Sequence, residues 1–229
     1  MTSEILSELE ELGSEETIEK LKKLGAKGKM YGVSEEDLKK LARKVKREYD
    51  TEHPEFFQAE VIKLWSTGIL DARLLAIRLI YPELVRTSVL QKWVVDINFF
   101  HLANQFVSEL VLKTDHAEEM AKKWLTSKKE YILRCGFDIV RYSLEKNIEL
   151  FDQAFLIEVF KMIAMNIKSV PNRAKESMIL TLIAIGKHRE DLKKACIELA
   201  ARIGPIKIKV GDNLDKEYSA YDELTEKKE

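Results

Sequence analysis

A tryptophan and two ionisable residues stand close together within the apolar stretch QKWVVDINFFHLANQF, residues 91–106. Trp93 precedes Asp96 by three positions, and His101 follows. Buried polar groups cost stability unless they have partners, so these residues pair either with other residues of the fold or with a ligand, and the face of Trp93 could meet a cation. Two simpler interpretations stay open: Asp96 caps the start of a helix, and His101 is structural or merely exposed.

The residues after His101 predict a helix with two different faces. Positions separated by three, four and seven residues share one side of a helix. The polar face comprises His101, Asn104, Gln105 and Ser108. The opposite, apolar face comprises Phe99, Leu102, Phe106 and Leu110. The polar residues therefore need not be buried, and we expect them to line a groove.

A second set of candidate residues lies in the segment KEYILRCGFDIVRY. Arg134 and Asp138 are four positions apart, so they face each other on a helix, and Arg141 shares that face. One interpretation is an intrahelical ion pair. The other is a guanidinium offered to phosphate, with Asp138 fixing its rotamer. Trp124 upstream, like Trp93, either packs in the core or stacks on a base or sugar.

Basic residues cluster at the expected turns between helices. They are Lys128, Lys129, Lys168, Arg173 and Lys175. Ser127 and Ser169 stand where helices should begin, and free backbone N–H groups at helix starts favour anions. These residues are therefore candidate phosphate contacts, although simple helix capping explains the serines equally well.

Charge is unevenly distributed although the formal net charge of the 229 residues is only -1. Residues 122–209 carry 18 Lys and Arg against 10 Asp and Glu, whereas residues 1–18 carry six Glu and no basic residue. This asymmetry favours a polyanion-binding face, with solvated helix faces as the alternative.

Several classes of site and location are disfavoured. Cys135 and Cys196 have no Cys or His partners nearby in sequence, which argues against a zinc site or a disulfide framework. No nucleophile constellation or glycine-rich phosphate loop is visible, so no cofactor is expected. The acidic N-terminus resembles no secretion signal, and no apolar run is long enough to span a bilayer, so we expect a cytoplasmic monomer.

Helical periodicity runs through the chain, with only nine Gly and four Pro. Ser34 with Asp37 predicts a capped helix start, and Pro54 predicts another. Paired helices recur, with an aromatic or apolar residue followed by a polar one 8 to 10 positions later. The pairs are Trp65 with Arg73, Trp93 with His101, Trp124 with Arg134, and Ile167 with Lys175.

This recurrence predicts an all-α solenoid of antiparallel helix pairs, like HEAT or armadillo repeats, with a basic concave groove. We expect one domain over residues 1–205 and a short, extended, charged tail over residues 206–229. A four-helix bundle with extra helices is the alternative.

Four segments, in order, resemble the DNA alkylation repair family of HEAT-like repeat glycosylases, the AlkD type. They are KMYGVSEEDLKKLARKV, IKLWSTGILDARLLAIRLI, QKWVVDINFFHLANQFV and KKWLTSKKEYILRCGFDIV. The resemblance covers roughly residues 25–205. It implies a basic solenoid that holds duplex DNA and, in active members, releases N3- or N7-alkylated purines without flipping the base into a tight pocket.

The resemblance implies site residues as well. Arg134 matches the family arginine, and Trp93 with Asp96 corresponds to the WxxxD motif, although the spacing here is one residue shorter. One residue rotates a helical side chain by about 100°. A further family tryptophan is absent from MILTLIAIG.

Three functions therefore remain as hypotheses. The first is a glycosylase for alkylated purines, with Asp96 as the carboxylate, Trp93 and Trp124 bracketing the lesion, and Arg134 on phosphate. The second is a non-catalytic module that binds DNA or RNA structure through phosphates. The third is a protein-binding adaptor. In the nucleic-acid hypotheses, His101 and the basic turn residues join Arg134 as contacts.

Overall fold

The computed structural model describes residues 1–49, 53–211 and 215–226, and it is almost entirely helical. The chain forms two compact units, Met1–Asp115 and His116–Glu229. Both are built from short helices joined by tight turns, which confirms the predicted all-α fold of HEAT-like helix pairs.

Within its described residues, 1–49 and 53–115, the first unit contains seven α-helices. They are α1 (Thr2–Glu11), α2 (Glu15–Lys23), α3 (Glu35–Tyr49), α4 (Pro54–Ser66), α5 (Leu70–Leu79), α6 (Thr87–Asp96) and α7 (Phe100–Gln105). A 3₁₀ turn, Pro82–Leu84, separates α5 from α6. A π-helical turn, Phe106–Leu110, and a 3₁₀ turn, Val111–Lys113, continue from α7.

Local sequence signals place several of these boundaries. At the start of α3, the backbone N–H of Asp37 donates to Ser34 Oγ at 3.1 Å, and Ser34 Oγ donates to Asp37 Oδ2 at 2.7 Å. Pro54 is the first residue of α4, where its missing N–H costs nothing. The expected helix start near Asp96 is wrong, because Asp96 is the last residue of α6 and α7 begins at Phe100.

Helix α5 is central to the first unit, and eight of its ten residues are buried. The buried Asp71 accepts hydrogen bonds from the backbone N–H groups of Tyr31 at 2.6 Å and Val33 at 2.8 Å. Between them, Gly32 has φ 76°, and a Cβ there would lie 2.4 Å from the carbonyl oxygen of Ser14. The segment of residues 31–33, which Asp71 holds through two backbone N–H groups, therefore requires glycine at its central position.

The part of the second unit that the structure describes contains six α-helices and one β-hairpin. They are α8 (Ala117–Trp124), α9 (Glu130–Glu145), α10 (Gln153–Asn166), α11 (Asn172–His188), α12 (Glu190–Ile203), β1 (Ile206–Lys209), β2 (Asp215–Tyr218) and α13 (Ala220–Thr225). Strands β1 and β2 pair antiparallel, Ile206 opposite Tyr218. The segment expected as an extended tail thus contains two paired strands and a helix, while residues 212–214 and 227–229 lie outside the described residues.

Helices α9 and α11 form the centre of the second unit, where Phe137, Ile179 and Leu182 are fully buried. Gly136 lets α9 approach the end of α8 closely, since a Cβ there would lie 2.8 Å from the backbone nitrogen of Leu125. In the part of the chain that the structure describes, no helix is both long and apolar enough to cross a bilayer.

Candidate nucleic-acid interface

The carboxylate of Asp96 is held by two residues of the neighbouring helices α4 and α5. Trp65 Nε1 donates a 2.8 Å hydrogen bond to Asp96 Oδ2. Arg73 Nη2 lies 3.6 Å from the same oxygen, and Arg73 Nη1 donates to the backbone oxygen of Asp96 at 3.1 Å. The Asp96 side chain still exposes 36% of its surface, so the carboxylate is both oriented and accessible.

Trp93 lies beneath this carboxylate, inside the core of the first unit. Its ring stacks on that of Trp65, with centroids 4.1 Å apart and planes within 2° of parallel. Both side chains are 1% exposed. The structure therefore brings Trp93 and Asp96 together, but it gives Trp93 a packing role and leaves no ring face open to a nucleotide.

Arg73 completes this group. Its guanidinium lies 5.3 Å from the centroid of the Trp65 ring and also donates to the backbone oxygen of Trp65. Burial lowers the pKa of Arg73, while Asp96 opposes that shift. A charged, part-buried arginine beside Asp96 offsets some of the negative charge that a cationic transition state would otherwise feel.

His101 belongs to a different polar cluster in the first unit. Its Nε2 lies 3.0 Å from Gln105 Nε2, and Gln105 in turn donates to Glu35 at 3.1 Å. Arg78 pairs with Glu35 at 2.6 Å. Burial lowers the pKa of His101, which favours the neutral ring at neutral pH. Of the predicted polar stripe, His101, Asn104 and Ser108 are half-buried. Gln105 is buried, and its partners are Glu35 of α3 and Arg78 of α5.

Arg134 is enclosed in the second unit, with only 1% of its surface exposed. Its Nε lies 3.2 Å from Asp138 Oδ2, and its Nη1 lies 2.7 Å from Glu176 Oε2. The same Nη1 donates to the backbone oxygen of Arg173 at 3.0 Å. The guanidinium expected on phosphate is thus occupied by two carboxylates and a carbonyl, and the intrahelical ion pair, the alternative interpretation, is present.

Arg173 is part of the same buried network rather than a surface cation. Its Nη1 donates to Glu176 at 3.0 Å, and its backbone N–H donates to Glu130 at 2.6 Å. Burial alone would raise the pKa of Glu176, but Arg134, Tyr218 and Arg173 together hold it below its ordinary value. We call this set of α9 and α11 residues, Arg134, Asp138, Arg141, Arg173 and Glu176, the buried charge network.

The remaining predicted cations lie nearer to solvent. Lys128 and Lys129 are exposed in the turn between α8 and α9, and Lys168 is exposed in the turn between α10 and α11. Lys175, in the first turns of α11, is half-buried. None of the four makes an ion pair with the residues that the structure describes. Trp124, the last residue of α8, is 3% exposed and packs inward.

The two lysine-bearing turns meet around one cavity of about 320 Å³ within the second unit. Ser127 and Lys128 line it from the α8–α9 turn, and Asn166 and Ser169 line it from the end of α10 and the turn that follows. Ser127 Oγ accepts from the backbone N–H of Lys129 at 3.1 Å. At this surface of the second unit, exposed cations and polar groups come together around an apolar cavity.

The partners of Asp96 were not assigned from sequence, and of the two carboxylates beside Arg134 the sequence indicated Asp138 but not Glu176. Trp65 and Arg73 form the first copy of the aromatic-to-polar spacing, equivalent to Trp93 and His101 in the next copy. That equivalence does not indicate that Trp65 and Arg73 contact Asp96. Glu176 had no such signal. It lies 42 positions from Arg134, and only the packing of α9 on α11 brings the two together.

Comparison with known proteins places this chain in a family. The family model described as DNA alkylation repair enzyme matches residues 5–207. An uncharacterized protein of Listeria innocua is 29% identical over 185 residues, covering 80% of this chain and 76% of that protein. One of Listeria monocytogenes is 27% identical over 190 residues, covering 82% and 78%.

A solved structure matches with a TM-score of 0.83 at 23% identity, over 97% of this chain and 92% of that one. It represents a family of proteins related to the HEAT-like repeat DNA glycosylases with affinity for branched DNA structures. At this identity the likeness establishes the HEAT-like fold. Because the family model spans most of the sequence, the chain belongs to the DNA alkylation repair enzyme family.

Proposed function

We propose that this protein binds DNA through backbone phosphates, prefers branched over linear duplexes, and does not cleave the N-glycosidic bond. The observation that carries the proposal is the contrast between two groups of cations. Lys128, Lys129 and Lys168 are exposed and without ion-pair partners among the described residues, whereas Arg134 is 1% exposed within the buried charge network. Phosphate binding remains available, but the arginine implied by the glycosylase resemblance is occupied.

The aromatic residues support the same proposal. A glycosylase acting on a cationic purine would offer aromatic faces to the lesion. Trp93 stacks on Trp65, and Trp124 is 3% exposed, so neither ring is presented to solvent. The affinity of the structural relative for branched DNA supports the choice of ligand.

Titrations of a fluorescent four-way junction and a linear duplex of equal length test the proposal. Phosphate contacts make log affinity fall linearly with log salt, by about 0.9 per contact on duplex DNA. We expect Lys128→Gln and Lys168→Gln each to reduce that slope by about 1. The matched control is Lys194→Gln, which removes an exposed lysine from α12. Salt-independent binding, or equal slopes in all four proteins, would contradict the proposal.

A glycosylase is the second candidate, and the geometry of Asp96 favours it. The carboxylate is fixed by Trp65 and Arg73 yet 36% exposed, as a group that stabilises an oxocarbenium-like sugar should be. A duplex containing 7-methylguanine separates the candidates. Release above the spontaneous rate that disappears in Asp96→Asn would establish the glycosylase, and release at the spontaneous rate would leave DNA binding alone.

A further inference from the structure

The cavity between the α8–α9 and α10–α11 turns combines an apolar floor with a polar, cationic rim. Its volume is about 320 Å³. The lining is apolar: Met162 and Val170 are half-buried, whereas Leu125, Leu133, Phe137 and Met178 are buried. That volume is near the lower end of small-ligand cavities, about 300–1,000 Å³, so the space suits one flat group of the size of a nucleobase rather than a helix or a strand.

The rim offers groups that match a nucleotide. The Lys128 ammonium is exposed and has no ion-pair partner in the described part of the chain. Ser127 Oγ accepts from the N–H of Lys129, so its own hydroxyl proton can be donated outward. Asn166 Nδ2 is used on the backbone oxygen of Met162 at 2.9 Å, which leaves Asn166 Oδ1 as an acceptor at the mouth.

We propose that this cavity receives a single unpaired nucleobase of DNA, whose neighbouring phosphate contacts Lys128. This inference rests on the proposed DNA binding and names the feature of branched DNA that is recognised. An apolar space edged by one exposed cation, Lys128, calls for a ligand that is apolar and flat at one end and anionic at the other. A nucleotide has both properties, and contacts to the face of a base are tolerant of sequence because every base has a π-face.

The same geometry explains why branched DNA would be preferred. A base inside a duplex is stacked and paired, and extruding it costs a few kcal/mol. A base in a bulge, or at a branch point where a pair has opened, has already lost its partner, so its transfer into the cavity avoids most of that cost. Lysines outside the cavity would hold both kinds of DNA, whereas the cavity would hold only the unpaired base.

The test uses a duplex with a one-nucleotide 2-aminopurine bulge and a fully paired duplex of equal length. We expect 2-aminopurine fluorescence to change on binding to the full-length protein. Val170→Phe fills the cavity and leaves the lysines in place. It should reduce the preference for the bulged duplex by about tenfold, which corresponds to ~1.4 kcal/mol, while affinity for the paired duplex is unchanged.

The matched control is Val95→Phe, which adds the same volume at an exposed position in the first unit, on a residue that does not line the cavity. If Val170→Phe does not fold, Asn166→Ala at the exposed rim should lower the same preference severalfold. An unchanged preference in the folded cavity variant, or unaltered 2-aminopurine fluorescence in the wild type, would refute the base-binding cavity. Failure of the wild type to bind either duplex would instead refute the proposed function.

Discussion

Asp138 is the residue whose neutralisation should most strongly destabilise the second unit. Its side chain is fully buried. Oδ1 accepts from Arg141 Nη2 at 3.0 Å and from Ser177 Oγ at 2.7 Å, while Oδ2 lies 3.2 Å from Arg134 Nε. The perturbation is Asp138→Asn, which keeps the shape of the side chain and removes its charge.

The expected cost follows from what asparagine can and cannot replace. Its Oδ1 can still accept from Arg141 and Ser177. Its amide group, however, presents N–H donors to the Arg134 guanidinium, so a donor faces a donor. Removing one partner of a buried ion pair costs about 3–5 kcal/mol. Because Glu176 still contacts Arg134, we expect the lower end, roughly 3 kcal/mol, and a fall in Tm on the order of 10 °C.

Native-state hydrogen exchange of the α9 and α11 amides measures this effect, since the two compact units need not unfold together. The matched control is Glu145→Gln, which neutralises a carboxylate that is 40% exposed and 3.4 Å from Arg141. Because the Glu145 carboxylate lies at the surface and Asp138 keeps Arg141 paired, we expect its loss to cost about 0–1 kcal/mol. If Asp138→Asn destabilised α9 and α11 no more than Glu145→Gln does, the reasoning about buried charge would be refuted.

Three further predictions concern stability. Ser34→Ala removes the cap of α3 and should cost about 0.5–2 kcal/mol in urea unfolding, and no loss would exclude a capping role. Gly136→Ala should lower the free energy of unfolding by about 1–3 kcal/mol despite alanine's higher helix propensity, because its Cβ would lie 2.8 Å from the backbone of Leu125. A raised Tm would contradict this close approach. Burial lowers the pKa of His101 below its ordinary 6.5. As the pH falls, the unfolded chain therefore binds a proton at this position before the folded chain does, and the free energy of unfolding declines below about pH 6.5. His101→Gln should flatten that decline between pH 7.5 and 6, and identical pH profiles would count against the shifted histidine.

The starts of helices could be predicted from the sequence where residues within one turn determine them. The Ser34–Asp37 pair starts α3 and Pro54 starts α4, and both signals act within one turn. The error at Asp96 has a physical reason. An aspartate before an apolar run is a common helix cap, but here the carboxylate accepts a hydrogen bond from Trp65, 31 positions earlier, and Asp96 is the last residue of α6.

The candidate site could be predicted only in part, because burial of ionisable residues depends on distant partners. Spacing correctly paired Arg134 with Asp138 on one helix. It could not indicate that α11 contributes Glu176 and encloses the pair. The turn lysines were easier to identify, because turns between helices stay on the surface regardless of how the helices pack.

The recurring aromatic-to-polar spacing supports a final step of reasoning about this fold. In its three tryptophan copies, the polar residue makes a different contact each time. Arg73 contacts Asp96, His101 lies beside Gln105, and Arg134 is buried between carboxylates. A pattern that serves one ligand-binding surface should give side chains with similar exposure. This one instead places each tryptophan in a core, so the repeat encodes helix packing. Helix packing does not constrain the residues in the turns. We therefore expect DNA affinity to respond to substitution of the turn lysines rather than of the repeated arginine.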